Sequence, residues 1–171
     1  MQLVHRDASV RVLACTPSNA AADYLEGRLA AAGLDSDKLY RLAASLPSED
    51  DVSEDAPTPS QISRHERLLS FRVVLSTCSS AGILQNLNVP IGHFSHIFVD
   101  EAAQAEEPLV MIPILTFSNA YTNIILAGDS NQLGPVVKSP TAARSGLGKS
   151  YFQRLMFMSD VYGLATQTGK T

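Results

Sequence analysis

The stretch His93–Pro108, HFSHIFVDEAAQAEEP, decides how the rest of the chain is read. Its run His96-Ile97-Phe98-Val99 is short and uninterrupted, the pattern of a strand buried on both faces of a parallel sheet. The strand stops on two adjacent carboxylates, Asp100 and Glu101, followed by the small residues Ala102 and Ala103. Acids at the end of a buried strand are costly unless they have a cation or a proton to handle. The carboxyl end of this strand is therefore the first place to look for chemistry.

Working outward, three more runs have the same character: Val10–Cys15 (VRVLAC), Val73–Ser76 (VVLS) and Asn123–Ala127 (NIILA). Helical patterns lie between them, over Ala20–Ala32 with Leu25 and Leu29 at helical spacing, over Ile62–Leu69 and over Pro108–Leu115. Gly33 is placed to end the first of these helices. Alternating strands and helices predict an α/β fold with an open, mostly parallel sheet. Ligands of such sheets bind beyond the carboxyl ends of the strands.

The residues at those ends are informative. After Cys15 comes TPSNAAAD, in which Pro17 breaks the strand and Ser18 or Asn19 caps a helix, presenting free amides to an anion. After Ser76 comes TCSSAG, a second hydroxyl-rich turn; two such turns on neighbouring strands would form a track for a polyanion. The pair Asp100-Glu101 has the Walker B arrangement, in which the first carboxylate holds Mg²⁺ and the second polarises the attacking water. After Ala127 comes GDSNQLGPV, where Gly128 permits an unusual turn and Asp129 and Gln132 project beside the acid pair. A glutamine there can sense a terminal phosphate or orient the water.

Composition narrows the class. The chain has 171 residues and is 45% hydrophobic, which suits one domain with a sizeable core and excludes bulk disorder. No apolar run approaches the ~18 residues of a membrane span, and MQLVHRDASV lacks the regions of a signal peptide. Cys15 and Cys78 are too few and too far apart for a disulfide framework and are expected to fill buried space. A cytoplasmic, reducing setting is expected. The net charge of -4 does not advertise a nucleic-acid binder. However, Glu49, Asp50, Asp51, Glu54 and Asp55 all fall in PSEDDVSEDAPTP, and without them the chain is close to neutral. That stretch, residues 47–59, is expected to be a disordered surface insert, since it is acidic and carries three prolines. His93 and His96 have no Cys or carboxylate partner at ligand spacing, so a metal role is not expected of them.

In order, TPSNAAAD, STCSSAG, DEAAQ and AGDSNQLGPV resemble motifs Ia, Ib, II and III of superfamily 1 helicases of the Upf-like branch. HFSHIFVDEAAQAEEP, LAGDSNQLGPVVKSP and GLGKSYFQRLM are similar to the Armitage and Moloney leukaemia virus resistance type of RNA helicase. The resemblance runs from about Val10 to about Met156. It implies the first RecA-like P-loop NTPase domain of an ATP-dependent RNA helicase, coupling nucleoside triphosphate hydrolysis to movement along single-stranded RNA. It further implies that Asp100 binds Mg²⁺, that Glu101 activates water, and that Gln104 and Gln132 couple the γ-phosphate to the nucleic-acid site. Gly128 and Asp129 would shape that loop, with Asp129 facing the nucleotide. Pro17, Ser18, Asn19, Thr77 and Ser79 would touch the RNA backbone, which positions a strand without reading its sequence.

The family's phosphate-binding loop, G-x-x-x-x-G-K-[ST], is expected on a strand before motif Ia, and the second RecA-like domain after motif III. Neither is found in these residues. Ala143–Ser150 (ARSGLGKS) and Thr168–Thr171 (TGKT) mimic parts of the loop but lack the strand–loop–helix context that gives it meaning. Residues 1–157 are thus expected to form a partial RecA-like domain lacking the phosphate-loop strand, with 158–171 as a tail or linker. The chain by itself is expected to be inactive as an ATPase. The alternative reading is a non-catalytic remnant that binds RNA or protein, or an incomplete gene product.

Overall fold

The computed structural model describes residues 2–42 and 64–158. The expected acidic insert and most of the expected tail lie outside the described residues.

The elements in chain order are α1 (Gln2–Arg6), β1 (Val12–Thr16), α2 (Asn19–Ala31), β2 (Leu39–Arg41), α3 (Arg64–Ser70), β3 (Val73–Thr77), α4 (Ile83–Asn86), β4 (His96–Val99), α5 (Glu107–Phe117), β5 (Asn123–Leu126), α6 (Pro140–Ala142) and α7 (Tyr151–Met158). The strands form one sheet in the order β2-β3-β1-β4-β5, with every pairing parallel. The expected α/β architecture is therefore present, and its strands match the expected runs to within a residue or two. β2 is an addition. Three residues are too short to show a period, and β2 forms because it pairs with Val73–Leu75.

The two faces of the sheet feed separate cores, because successive strand residues point to opposite sides. Leu13 and Cys15 of β1, Val74 of β3, and Ile97 and Val99 of β4 pack with Leu68 of α3, Leu84 of α4, and Val110, Ile114 and Phe117 of α5. Val12, Ala14, Val73 and Leu75 face the other way, onto Val4 of α1, Ala22 of α2 and Leu34. Burying a side chain such as Leu84 or Phe117 contributes on the order of 1.5–3 kcal/mol. The central strands β1 and β3 are buried at every position, whereas Asn123 and Ile124 of β5 are exposed. Among the described residues, β5 forms one edge of the sheet.

Local chemistry sets the helix ends. Ser18 caps α2, its Oγ accepting from the Ala21 amide at 3.2 Å. Gly33, with φ +85°, ends the helix as expected: its amide donates to Ala30 and the Leu34 amide to Leu29, while the Leu34 side chain is buried. Helix α5 runs past the expected end at Leu115 and through Pro113, whose ring is buried. Packing of that apolar helix on the sheet outweighs the lost hydrogen bond. Ser150 and Gln153 cap α7 reciprocally, the Gln153 amide donating to Ser150 Oγ and the Ser150 amide to Gln153 Oε1. Arg154 then bonds Glu107 through both carboxylate oxygens at 2.7 and 2.8 Å, tying α7 to the start of α5. Among the described residues, no helix is long and apolar enough to cross a membrane.

Candidate functional site

The residues singled out from the sequence gather along the carboxyl edge of the sheet, because β1, β3, β4 and β5 all run the same way. Backbone hydrogen bonds continue past the strands and join their exit turns. The Cys78 amide donates to the Thr16 carbonyl at 2.8 Å, linking the turns after β3 and β1. The Asp100 amide donates to the Cys15 carbonyl at 2.9 Å, linking the turn after β4 to the end of β1. The Ala102 amide donates to the Ala127 carbonyl at 2.8 Å, linking the acid pair to the loop after β5.

The acid pair is shaped by its own backbone. Asp100 Oδ1 accepts from the Glu101 amide at 3.0 Å, and Oδ2 has no partner among the described residues. Glu101 has φ +53°, a left-handed conformation that is uncommon for a residue with a side chain. It is held there by that hydrogen bond and by the Gln104 amide, which donates to the Glu101 carbonyl at 2.9 Å. Gln104 Nε2 donates to Glu101 Oε2 at 2.8 Å, so the glutamine orients the carboxylate directly. Both acids are half-buried, and Ala102 and Ala103 behind them are fully buried. The small residues let the turn lie flat on the neighbouring loop. A Cβ on Gly128 would stand 2.9 Å from the Ala103 nitrogen and 3.2 Å from the Ala102 nitrogen, so glycine is required by the approach of another backbone.

Beyond Gly128, Asp129 organises its loop: Oδ1 accepts from the Asn131 amide at 2.9 Å, and its carbonyl accepts from the Gln132 amide at 3.2 Å. Gln132 and Gln104 line one open recess together with Asn131 and Leu133. The two glutamines, 28 positions apart in the sequence, thus face the same space beside Glu101.

On the other side of Asp100 lie the two hydroxyl turns. Ser18 and Asn19 are exposed and Pro17 is half-buried. Thr16 Oγ1 donates to the Ser18 carbonyl at 2.9 Å, which stiffens the turn. In the β3 turn, Ser79 is exposed, but Thr77 is buried, its Oγ1 donating to Ser80 Oγ at 2.9 Å and accepting from the Ser80 amide at 3.0 Å. Thr77 shapes this turn, and Ser79 is the hydroxyl it presents to solvent. Cys15 and Cys78 lie buried beneath the two turns. Burial pushes the Cys15 thiol well above the ordinary value, and a hydrogen bond with Cys15 lowers that of Cys78.

Arg41 carries no motif in the sequence, yet it belongs to this edge. It sits at the end of β2, and its Nη2 donates to Asn19 Oδ1 at 3.3 Å and Asp23 Oδ1 at 3.1 Å. The run Leu39-Tyr40-Arg41-Leu42 was its only signal, too short to be read as a strand.

The chain is similar to known proteins over most of its length. A family model described as an AAA domain matches residues 47–140. The RNA helicase Mov10l1 of Homo sapiens is 42% identical over 149 residues, covering 85% of this chain and 12% of its own length. A Danio rerio protein named as the helicase mov-10-B.1 is 38% identical over 170 residues, covering 94% of this chain and 17% of its own length. The ATP-dependent helicase NAM7 of Saccharomyces cerevisiae is 30% identical over 194 residues, covering 92% of this chain and 19% of its own length. The chain therefore spans less than a fifth of the curated relatives it matches. With the AAA domain model matching more than half of its residues, and with superfamily 1 RNA helicases among the relatives it matches, the chain belongs to the AAA domain family.

Proposed function

We propose that these residues form the hydrolytic and RNA-facing edge of the first RecA-like domain of an ATP-dependent RNA helicase acting on single-stranded RNA in the cytoplasm. The observation that carries this reading is the continuity of the edge. Hydrogen bonds from Cys78 to Thr16, Asp100 to Cys15 and Ala102 to Ala127 place the hydroxyl turns on one side of the acid pair and the glutamine loop on the other.

The donor set fits Mg²⁺ in company with a triphosphate. Asp100 keeps Oδ2 free at a strand end, with Glu101 beside it. Among the described residues, no group of three or more His, Cys, Asp or Glu could hold a metal alone. An octahedral ion that keeps waters and phosphate oxygens needs only one or two carboxylates from protein. Bound there, Mg²⁺ would neutralise charge developing on the phosphates. Asp100 would hold it, and Glu101, oriented by Gln104, would accept a proton from the attacking water. Gln132 would contact the terminal phosphate or that water across the shared recess. Because Ala102 is bonded to Ala127 and packed against Gly128, a displacement at either glutamine would pass to the other through backbone. Through Asp100 and Cys15 it would also pass to the turn of Pro17, Ser18 and Asn19, which with Ser79 would carry the RNA backbone.

The sequence holds no G-x-x-x-x-G-K-[ST] run to cradle a triphosphate. The 171-residue chain should therefore show ATP turnover at background whether or not RNA is present, and, being close to neutral outside residues 47–59, should bind single-stranded RNA weakly and salt-sensitively. Robust RNA-stimulated hydrolysis by this chain, abolished by Glu101→Gln, would overturn that division of labour. RNA binding that is insensitive to Asn19→Ala and Ser79→Ala would overturn the assignment of the RNA edge.

A further inference from the structure

Arg41 is a cation on the RNA-facing edge with an unusual set of contacts. Its side chain is only 16% exposed, while that of its ion-pair partner Asp23 is 67% exposed. Nη1 donates to the Leu42 carbonyl at 2.6 Å, and Nη2 is shared between Asn19 Oδ1 and Asp23 Oδ1. Nε is buried and has no hydrogen-bond partner among the described residues.

An unpaired buried N–H is a standing cost to the fold. What the guanidinium gains in exchange is reach. Its planar fork spans from β2 to the first turns of α2 and meets two acceptors there, which the single ammonium of a lysine does not reproduce. One of those acceptors belongs to Asn19, the first residue of α2. The other, Asp23, is an exposed acid on the same helix, close enough to repel a polyanion laid across the Ser18–Asn19 turn.

We infer that Arg41 is a positioning residue of the RNA-binding edge: it holds Asn19 in place and neutralises Asp23, so that the turn after β1 can receive an RNA phosphate. The inference rests on the reading that this turn faces RNA. Arg41 is not itself a phosphate ligand. Its side chain is largely buried, Nε is sealed from solvent, and Nη1 and Nη2 are already engaged.

The test is fluorescence anisotropy of a labelled oligouridine with the full 171-residue chain and five variants: Asn19→Ala, Arg41→Gln, Arg41→Lys, Asp23→Asn and the double variant Arg41→Gln/Asp23→Asn. Arg41→Gln should weaken binding about tenfold and Arg41→Lys less. The double variant should recover part of the loss seen in Arg41→Gln, since the acid then no longer needs neutralising while Asn19 stays unheld. A lost direct contact would not be restored in that way and would cut the salt dependence by about one released ion, so either result overturns the inference. If Asn19→Ala weakens binding and Arg41→Gln does not, Arg41 falls and the RNA edge stands. If the wild-type chain does not bind, or Asn19→Ala binds as wild type, the RNA edge falls and the inference with it. Should Arg41→Gln fail to fold, amide hydrogen exchange of Arg41→Lys decides. Faster exchange confined to the first turns of α2 supports the positioning role, and unchanged exchange overturns it.

Discussion

The amide of Ala102 donates to the carbonyl of Ala127 across 2.8 Å, bonding the turn after the acid pair to the residue before Gly128. At this separation there is no room for a side chain on Gly128, whose Cβ would meet backbone nitrogen at 2.9 Å. Gly128→Ala should therefore force the two turns apart and destabilise the fold by about 1–3 kcal/mol, as overpacking does. The midpoint of urea unfolding measures this, and an unchanged midpoint would refute the contact.

Ser18 closes the first turn of α2 through the Ala21 amide. Ser18→Ala should cost about 1 kcal/mol, and Ser18→Asp should recover most of it, because either side-chain oxygen satisfies the same orphan amide. Thermal unfolding followed by circular dichroism would show the two variants separating. An unchanged midpoint in Ser18→Ala would mean that the cap contributes nothing, and equal loss in both variants would mean that the aspartate does not replace it.

Strand β5 is a different kind of liability. Ile124 is 43% exposed on a strand with one unpaired edge among the described residues. Exposed apolar edges promote pairing between molecules, and a charge on the edge opposes it. Ile124→Lys should raise the soluble, monomeric fraction of the isolated chain, as seen by sedimentation velocity. If the wild-type chain is already monomeric at high concentration, the edge is not a source of association.

His93 provides a pH dependence with a definite sign. Burial, with smaller contributions from the nearby Arg11 and His65 charges, lowers its pKa from the ordinary 6.5 to about 4. The folded state thus favours the neutral ring, and the unfolded chain binds the proton first as pH falls. The stability contributed by His93 is fully present above pH 6.5, is lost progressively towards pH 4, and does not change further below that. Replacing His93 with Gln should flatten this part of the stability profile. A wild-type profile in which stability increases as pH falls from 6.5 to 4 would contradict the burial.

Much of the site could be read before folding was considered, because its signals are local. The strand ending in Asp100-Glu101, the proline and cap residues at Pro17 and Ser18, and the glycine at 128 each follow from a few neighbouring residues whose preferences are fixed by sterics and by the cost of burying charge. Even so, proximity to the edge did not settle which hydroxyls face out. Thr77 turns inward to Ser80, while Ser79 is exposed. This depends on how tightly the turn closes, which one-dimensional spacing does not express.

Residue types and spacings alone therefore determine an α/β chain whose chemistry lies at the strand ends, and they name most of its acids, glutamines and turn residues. The order of the strands, which brings Ala102 onto Ala127, Gln104 beside Gln132, and Arg41 onto Asn19 and Asp23, belongs to the fold. Parallel strands are joined by crossovers, so residues that touch across the edge are separated by whole helices in the sequence, and only packing of both sheet faces selects which strands become neighbours.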